Sequence, residues 1–321
     1  MLGVRSEVPS VSHASRHRRN VVSTQAVRRP QLTIVSAADD RYRARDLAVL
    51  AQMREKANAE GLDVRIVAYS LGGKGHCADG VPKVWAKFGI EYREFDFSKY
   101  PSHVANLHCY AWKPPIIDEV LKESSNGTVV MWVDSGATVM MRLQTIIDIT
   151  KRNDGFLSDE TSKGIVRFAH EKQVDYGVQA WRLDATFATT VKELRAQGEG
   201  YLDNNDRLGL PWSKFRNCNG AFSAHIKGSA RYDAITRPWV ACALDKKCVC
   251  PEGSNRGNAR QDQSALTLLA VKGDYVCGRD GKAVAAHGLR DVRGVLRALG
   301  VDWTSRRERE LFCPGAGGGR A

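Results

Sequence analysis

Along the first half of the chain, short apolar runs alternate with stretches of helical period. Gln31-Leu-Thr-Ile-Val-Ser36 is a β-type run, closed by the polar turn Ala37-Ala-Asp-Asp40. Leu47, Leu50, Met53 and Ala57 then recur at helical spacing, which predicts a helix over residues 41–59 that stops at Gly61. Val64 to Tyr69 reads as a second strand, Leu71 to Gly75 as a loop, and the alternation from Glu91 to Phe97 as a third strand. A helix is expected over residues 104–123, broken or restarted at Pro114 and Pro115. After the turn signal Asn126-Gly127, Thr128 to Val133 is the most continuous apolar strand, with Asp134 at its carboxyl end. Leu143, Ile146, Ile147 and Ile149 predict a further helix. The second half is less regular. Residues 216–226 read as one strand kinked at Gly220, and residues 229–244 and 260–271 as helices around a Gly/Asn-rich loop, Gly253 to Gly257.

This order predicts an α/β fold: a single domain with a Rossmann-like, mostly parallel central sheet and helices on both faces. Ligands of such sheets bind beyond the carboxyl ends of the strands. Asp39-Asp40 and Asp134 occupy two of those ends. No apolar run approaches the roughly 18 residues of a membrane span. Sustained heptads and fixed-period repeats are absent too, which removes coiled coils and solenoids.

Charge changes the picture at the ends. The 321 residues carry 48 Lys+Arg against 36 Asp+Glu, a formal net charge of +12. Residues 1–30 hold six Arg against Glu7 and so contribute +5 of it. That Ser-rich segment reads as a basic, disordered leader; an organelle-targeting presequence and a nucleic-acid arm are the competing readings. Neither a secretory signal nor a membrane anchor is visible. Residues 31–313 form the expected globular domain, and Pro314 to Ala321 a Gly-rich flexible tail. Of the eight Cys, three cluster as Cys242-x5-Cys248-x-Cys250, without the second close pair of a zinc finger. A local disulfide and buried free thiols both remain open.

Six residues carry candidate chemistry. Asp134 in Asp134-Ser-Gly136 suits a Mg²⁺ or Mn²⁺ ion bridged to phosphate oxygens; the plain alternative is a turn cap or a pair with Lys or Arg. Gly136 suits a close backbone approach. Lys113, in Tyr110-Ala-Trp-Lys-Pro114, suits neutralisation of a diphosphate or an exposed helix face. The amides around Asn219 and Gly220 suit sugar hydroxyls or a backbone-satisfied bulge. Asp262 suits a base or acceptor-binding group, or a first-turn helix acid. Gly72-Gly-Lys-Gly75 lacks the phosphate-loop spacing and His287 stands alone; no nucleophile elbow or His-Glu-x-x-His occurs.

Taken together, Tyr110-x-Trp-Lys-Pro114, Trp132-Val-Asp-Ser-Gly136, Asn217-Cys-Asn-Gly-Ala-Phe222, Cys248-x-Cys-Pro-Glu-Gly-Ser254 and Arg260-Gln-Asp-Gln-Ser264 resemble a eukaryotic glycosyltransferase-like family. That family lies in the nucleotide-diphospho-sugar transferase (GT-A) superfamily, and the resemblance spans residues 31–290. It implies a glycosyltransferase that moves a sugar from a nucleotide-diphosphate donor to a hydroxyl of a glycan or protein acceptor. By the same resemblance Ser36, Ala37 and Asp40 hold the nucleotide. Asp134 holds a divalent metal (Mn or Mg) and the phosphates, with His287 as a further metal ligand. Gly220 and Asp262 shape the acceptor side. The resemblance also implies a Golgi or endoplasmic reticulum lumen, no nucleic-acid partner, and membrane contact only through an anchor not seen here. One departure matters: the superfamily motif is Asp-x-Asp, and Gly136 stands at its third position. A GT-A-like binding or scaffold protein without catalysis is the alternative this departure favours.

Overall fold

The computed structural model of the chain describes residues 30–72, 83–197, 216–278, 284–287, 289 and 291–301. The basic leader, the Gly-rich tail and most of the Gly72–Gly75 stretch lie outside the described residues. In chain order the elements are β1 (Leu32–Ala38), α1 (Arg43–Ala59), β2 (Val64–Ser70), α2 (Lys83–Lys87) and β3 (Glu91–Glu94), followed by three single turns of 3₁₀ helix. Next come α3 (Lys113–Glu123), β4 (Val129–Val133), β5 (Ala137–Val139), α4 (Leu143–Arg152), β6 (Phe156–Leu157) and β7 (Glu160–Gly164). The chain continues with α5 (Ile165–Phe168), α6 (Glu171–Trp181), α7 (Ala185–Ala196), β8 (Arg216–Cys218) and β9 (Phe222–Ile226). It closes with α8 (Arg237–Leu244), α9 (Lys246–Val249), α10 (Gln261–Lys272), β10 (Ala285–His287) and α11 (Val292–Ala298).

The protein is a mixed α/β structure with a mainly parallel central sheet, as the sequence predicts. Six strands lie in the order β3-β2-β1-β4-β9-β6. The first four run parallel; β9 runs antiparallel to both β4 and β6. Two antiparallel ribbons, β10–β5 and β7–β8, sit outside this sheet. The alternation of strand side chains separates two cores. Leu32 and Ile34 of β1, with Met131 and Val133 of β4, pack beneath α1 and α4. Val35 and Ala37, with Val130 and Trp132, pack on the other face against α3, α8 and α10. A third cluster gathers α5, α6 and α7 around Leu268 of α10.

Two expectations are corrected here. Residues 104–112 form 3₁₀ turns instead of helix, and α3 begins only at Lys113. The proline rings at 114 and 115 fit a first helical turn, where no N–H is needed, and exclude a helix running through them. Residues 216–226 are two strands in two sheets, parted by a turn at Asn219-Gly220. Asn219 closes that turn by accepting from the Ala221 amide at 2.9 Å, while its own amide donates to the Asp159 carbonyl at 2.7 Å. Helices α6 and α7 were not foreseen. Their caps are legible in retrospect: His170 accepts from Lys172 N and Asp184 from Phe187 N.

The cysteine cluster divides between two bonds. Cys242 pairs locally with Cys248, as one reading expected, whereas Cys250 reaches back to Cys109; Cys218 pairs with Cys277. The Cys109–Cys250 bond spans 141 residues and ties the Tyr110 turn to the Gly/Asn loop. Among the described residues no helix is long and apolar enough to cross a membrane. Replacing Cys109 and Cys250 together by Ser is expected to lower unfolding stability by about 2–5 kcal/mol, because the unfolded chain regains the closed loop's freedom. Urea unfolding of the oxidised protein and the variant measures this.

Candidate active site

From β1 the chain passes to β2 and β3 on one side of the sheet, while β4 lies on the other. The crevice at such a reversal is where open α/β sheets bind ligands. Here it is open. A hollow of about 310 Å³ lies beyond the ends of β1 and β4, lined by Ala37, Asp39 and Arg41 on one side and Asp134, Ser135 and Gly136 on the other. Arg45, Tyr110 and Trp112 also line it. A second hollow of about 430 Å³ lies next to it, lined by Lys113, Asn219, Gly220, Arg256, Arg260, Asp262 and Gln263. Asp134 and Tyr110 line both, so the two are neighbouring halves of one cleft.

At its floor stands an ion triple. The Lys113 ammonium, with only 4% of its side chain exposed, lies 3.0 Å from Asp134 Oδ1 and 3.5 Å from Asp262 Oδ2. It also donates to the Gly220 carbonyl at 2.7 Å. Three aromatic rings surround it, Trp132 at 5.2 Å and Tyr110 and Trp112 at 5.9 Å each. Such ring faces attract a desolvated cation. The Trp132 indole N–H donates to the same Asp134 oxygen at 2.7 Å, fixing the carboxylate by its neighbour on β4. Asp134 nevertheless keeps 30% of its side chain exposed and looks into the cleft.

Burial alone would lower the Lys113 pKa, but the charges of Asp134 and Asp262 outweigh it, and the pKa stands above the ordinary lysine value. Burial pushes Asp262 up to about 6; Lys113 opposes the shift and Asp134 adds to it. A carboxyl so placed is ionised at neutral pH yet accepts a proton readily, the property a general base needs. Asp262 lies in the first turn of α10, and the residue before it, Gln261, holds a left-handed φ of 39°. Gln173 of α6 pins this corner by donating to the carbonyls of Cys248, Val249 and Gln261. Tyr110 on the opposite wall is likewise left-handed, at φ 53°. Residues held in such conformations cluster at functional sites.

The residues singled out from sequence divide as follows. Asp134, Lys113, Asp262, Ala37, Gly136, Asn219 and Gly220 all line the cleft. Ser36 does not: it is fully buried and donates its hydroxyl to Asp46 beneath β1. Asp40 is also set apart, in an ion pair with Arg43, and its neighbour Asp39 takes the place at the rim. The Asn219 side-chain oxygen is engaged in its own turn, where it accepts from the Ala221 amide. His287 lies in β10, in register with Ala137 of β5. Arg45, Arg256 and Arg260 line the cleft and were missed; only the quoted Arg260-Gln-Asp-Gln motif signalled one of them.

The arrangement does not fit a resident divalent cation. One Asp134 oxygen, Oδ1, is taken by an ammonium and an indole N–H, which leaves only the other to ligate it. Among the described residues no group of three or more His, Cys, Asp or Glu side chains gathers to hold a metal. A single carboxylate with an ammonium already 3.0 Å from one of its oxygens is a weak site for a hard cation.

Comparison with known proteins adds the following. A family model described as "Protein of unknown function (DUF1647)" matches residues 11–118. No curated protein matches the chain. Among solved structures, the mannosyltransferase Ktr4p from S. cerevisiae in complex with GDP shares 9% identity, over 87% of this chain and 79% of that one, with a TM-score of 0.44. The galactosyltransferase LgtC with donor and acceptor sugar analogs shares 14%, over 87% and 99%, with a TM-score of 0.40. The bifunctional glycosyltransferase WbbM shares 12% with a TM-score of 0.40, and the chain spans 38% of its length.

Lys113→Met is expected to destabilise the fold by about 3–5 kcal/mol at neutral pH, since it strands two carboxylates around a vacated cation. Asp262 holds its proton more tightly folded than unfolded. The variant's stability therefore rises as pH falls toward about 5, and the deficit shrinks. Urea titrations at both pH values check the sign.

Proposed function

We propose that the protein is a glycosyltransferase that takes its sugar from a nucleoside-diphosphate donor and passes it to a hydroxyl of a glycan or protein. The observation that carries this reading is the divided cleft at the β1/β4 switch, with one ion triple at its floor. The nucleoside occupies the hollow beside Asp39 and Gly136, against Tyr110. The sugar and acceptor occupy the hollow beside Asp262, and the diphosphate spans the boundary that Tyr110 and Asp134 share. The exposed oxygen of Asp134 accepts hydrogen bonds from donor hydroxyls.

In the reaction the acceptor oxygen bonds to the anomeric carbon, and the bond from that carbon to the phosphate oxygen breaks. The bonding pair leaves with the nucleoside diphosphate. The hydroxyl proton passes to Asp262, after which Lys113 balances Asp134 alone. Holding the reactants in line and placing fixed charges around the leaving group are the contributions this floor makes. The three disulfides among the described residues suit an oxidising compartment, which supports the lumen of the secretory pathway as the place of action.

A second reading, a GT-A-like binding protein without turnover, draws on Gly136 standing where the superfamily has an acid. One experiment separates the two. Thermal-shift screening across UDP, GDP and their sugars is expected to find a stabilising nucleotide, and its sugar form is expected to release nucleoside diphosphate in the presence of acceptor. Binding without release selects the scaffold; no binding of any nucleotide contradicts both.

For the active protein, the rate is expected to rise with pH up to about 6 and then level, as Asp262 loses its proton. Asp262→Asn is expected to lower turnover by about 10²–10⁴-fold on the plateau above about pH 6 and to remove that limb, so that the deficit shrinks at lower pH. A pH–rate profile of both proteins reads the result.

A further inference from the structure

The charges of the cleft are unevenly matched. Arg41 is paired with Asp39, and Lys113 is consumed by Asp134 and Asp262. Arg45, Arg256 and Arg260 have no carboxylate within ion-pair distance among the described residues. The two hollows together therefore carry a net of two positive charges, the complement of the two negative charges of a nucleoside-diphosphate ester.

Two of these guanidiniums lie on the sugar-side wall. Arg256 projects from the Gly/Asn loop and stacks over Tyr110, 5.0 Å from the ring centre, and Tyr110 is the residue that borders both hollows. Arg260 is half-buried, stands 4.5 Å over Phe168, and leaves its Nε buried with no hydrogen-bond partner. Burial and then the charge of Arg256 lower the Arg260 pKa, so the two cations repel each other across the pocket. Two like charges held together beside an open cleft, one with an orphaned donor, are unfavourable until an anion joins them. Planar guanidiniums match phosphate oxygens by paired hydrogen bonds. The Cys109–Cys250 bond and the carbonyls gripped by Gln173 fix the loop that carries them.

We propose that Arg256 and Arg260 form a diphosphate clamp that does the work of a divalent cation, while Lys113 remains the standing counter-ion of Asp134 and Asp262. The clamp rests on the donor-site reading above and goes further: it makes donor binding independent of metal. It also assigns the neutralisation of the leaving group to residues of the chain's second half, across the same hollow from Asp134.

The test is calorimetric titration of the full chain with UDP, GDP and inorganic pyrophosphate, first in EDTA and then in Mn²⁺. Each is repeated with Arg256→Ala and with the double variant Arg256→Ala/Arg260→Ala. The expected result is a Kd unchanged by EDTA. Arg256→Ala alone, at an exposed position, is expected to weaken the diphosphates about 10-fold, and the double variant about 10- to 100-fold. Uridine or guanosine binding is expected to stay unaltered, which shows that the variants fold. Loss of binding in EDTA that Mn²⁺ restores overturns the clamp and leaves the donor site standing. So does a double variant with unchanged diphosphate affinity but a raised acceptor KM, which would assign the guanidiniums to an anionic acceptor. Failure of the wild-type protein to bind any nucleotide or pyrophosphate overturns the clamp and the donor site together.

Discussion

The ammonium of Lys113 cannot leave its place without stranding Asp134 and Asp262, one at each wall of the cleft. Taking three charges out of water is expensive, and their mutual attraction repays it only when the geometry is close and the remaining hydrogen bonds are made. Here the Gly220 carbonyl, the Trp132 indole and three ring faces serve Lys113 and Asp134, while the buried Asp262 Oδ2 has the ammonium at 3.5 Å and no hydrogen bond of its own. The triple therefore joins α3, the end of β4, the β8–β9 turn and the start of α10 at one point. Those four segments are the cleft floor, so the same contacts that hold the fold together define the site.

The scaffold explains why this point lies where it does. Parallel strands bring the carboxyl ends of β1 and β4 to one edge, and the reversal of strand order opens a crevice between them. The antiparallel β9 extends the sheet on the far side of β4, and the turn before it delivers Gly220 to the floor. Two disulfides then anchor the walls, Cys109–Cys250 behind Tyr110 and Cys218–Cys277 beside the Asn219 turn. A rigid sheet thus presents a cleft whose walls are loops, the usual division between scaffold and chemistry.

Much of this was legible in the chain. The four parallel strands read clearly because β1, β2 and β4 are short apolar runs and β3 falls in an alternating stretch, and Asp134 stood out as a carboxylate ending the most apolar of them. Lys113 and Asp262 were also visible, as a cation beside aromatics and an acid opening a helix. What no local pattern carried was their meeting, which depends on residues 149 positions apart in the chain folding to 3.5 Å. The misreadings have physical causes. Ser36 looks polar and accessible in sequence, but strand alternation turns it inward to Asp46. Residues 216–226 look like one strand because Gly220 does not announce that the chain changes sheets there. The pairing of Cys250 with Cys109 is a tertiary fact with no local signal. Arg256 sat in a loop of Gly and Asn, where a single cation reads as a solvated surface.

The most direct measurement is a crystal structure of the protein soaked with a nucleotide sugar that the thermal screen selects, grown without divalent metal. The account predicts the nucleoside beside Asp39, the diphosphate against Tyr110 at the boundary of the two hollows, and the sugar facing Asp262, with Lys113 still in contact with both carboxylates. A donor bound elsewhere on the molecule, or one whose binding drives Lys113 away from Asp134, would contradict it.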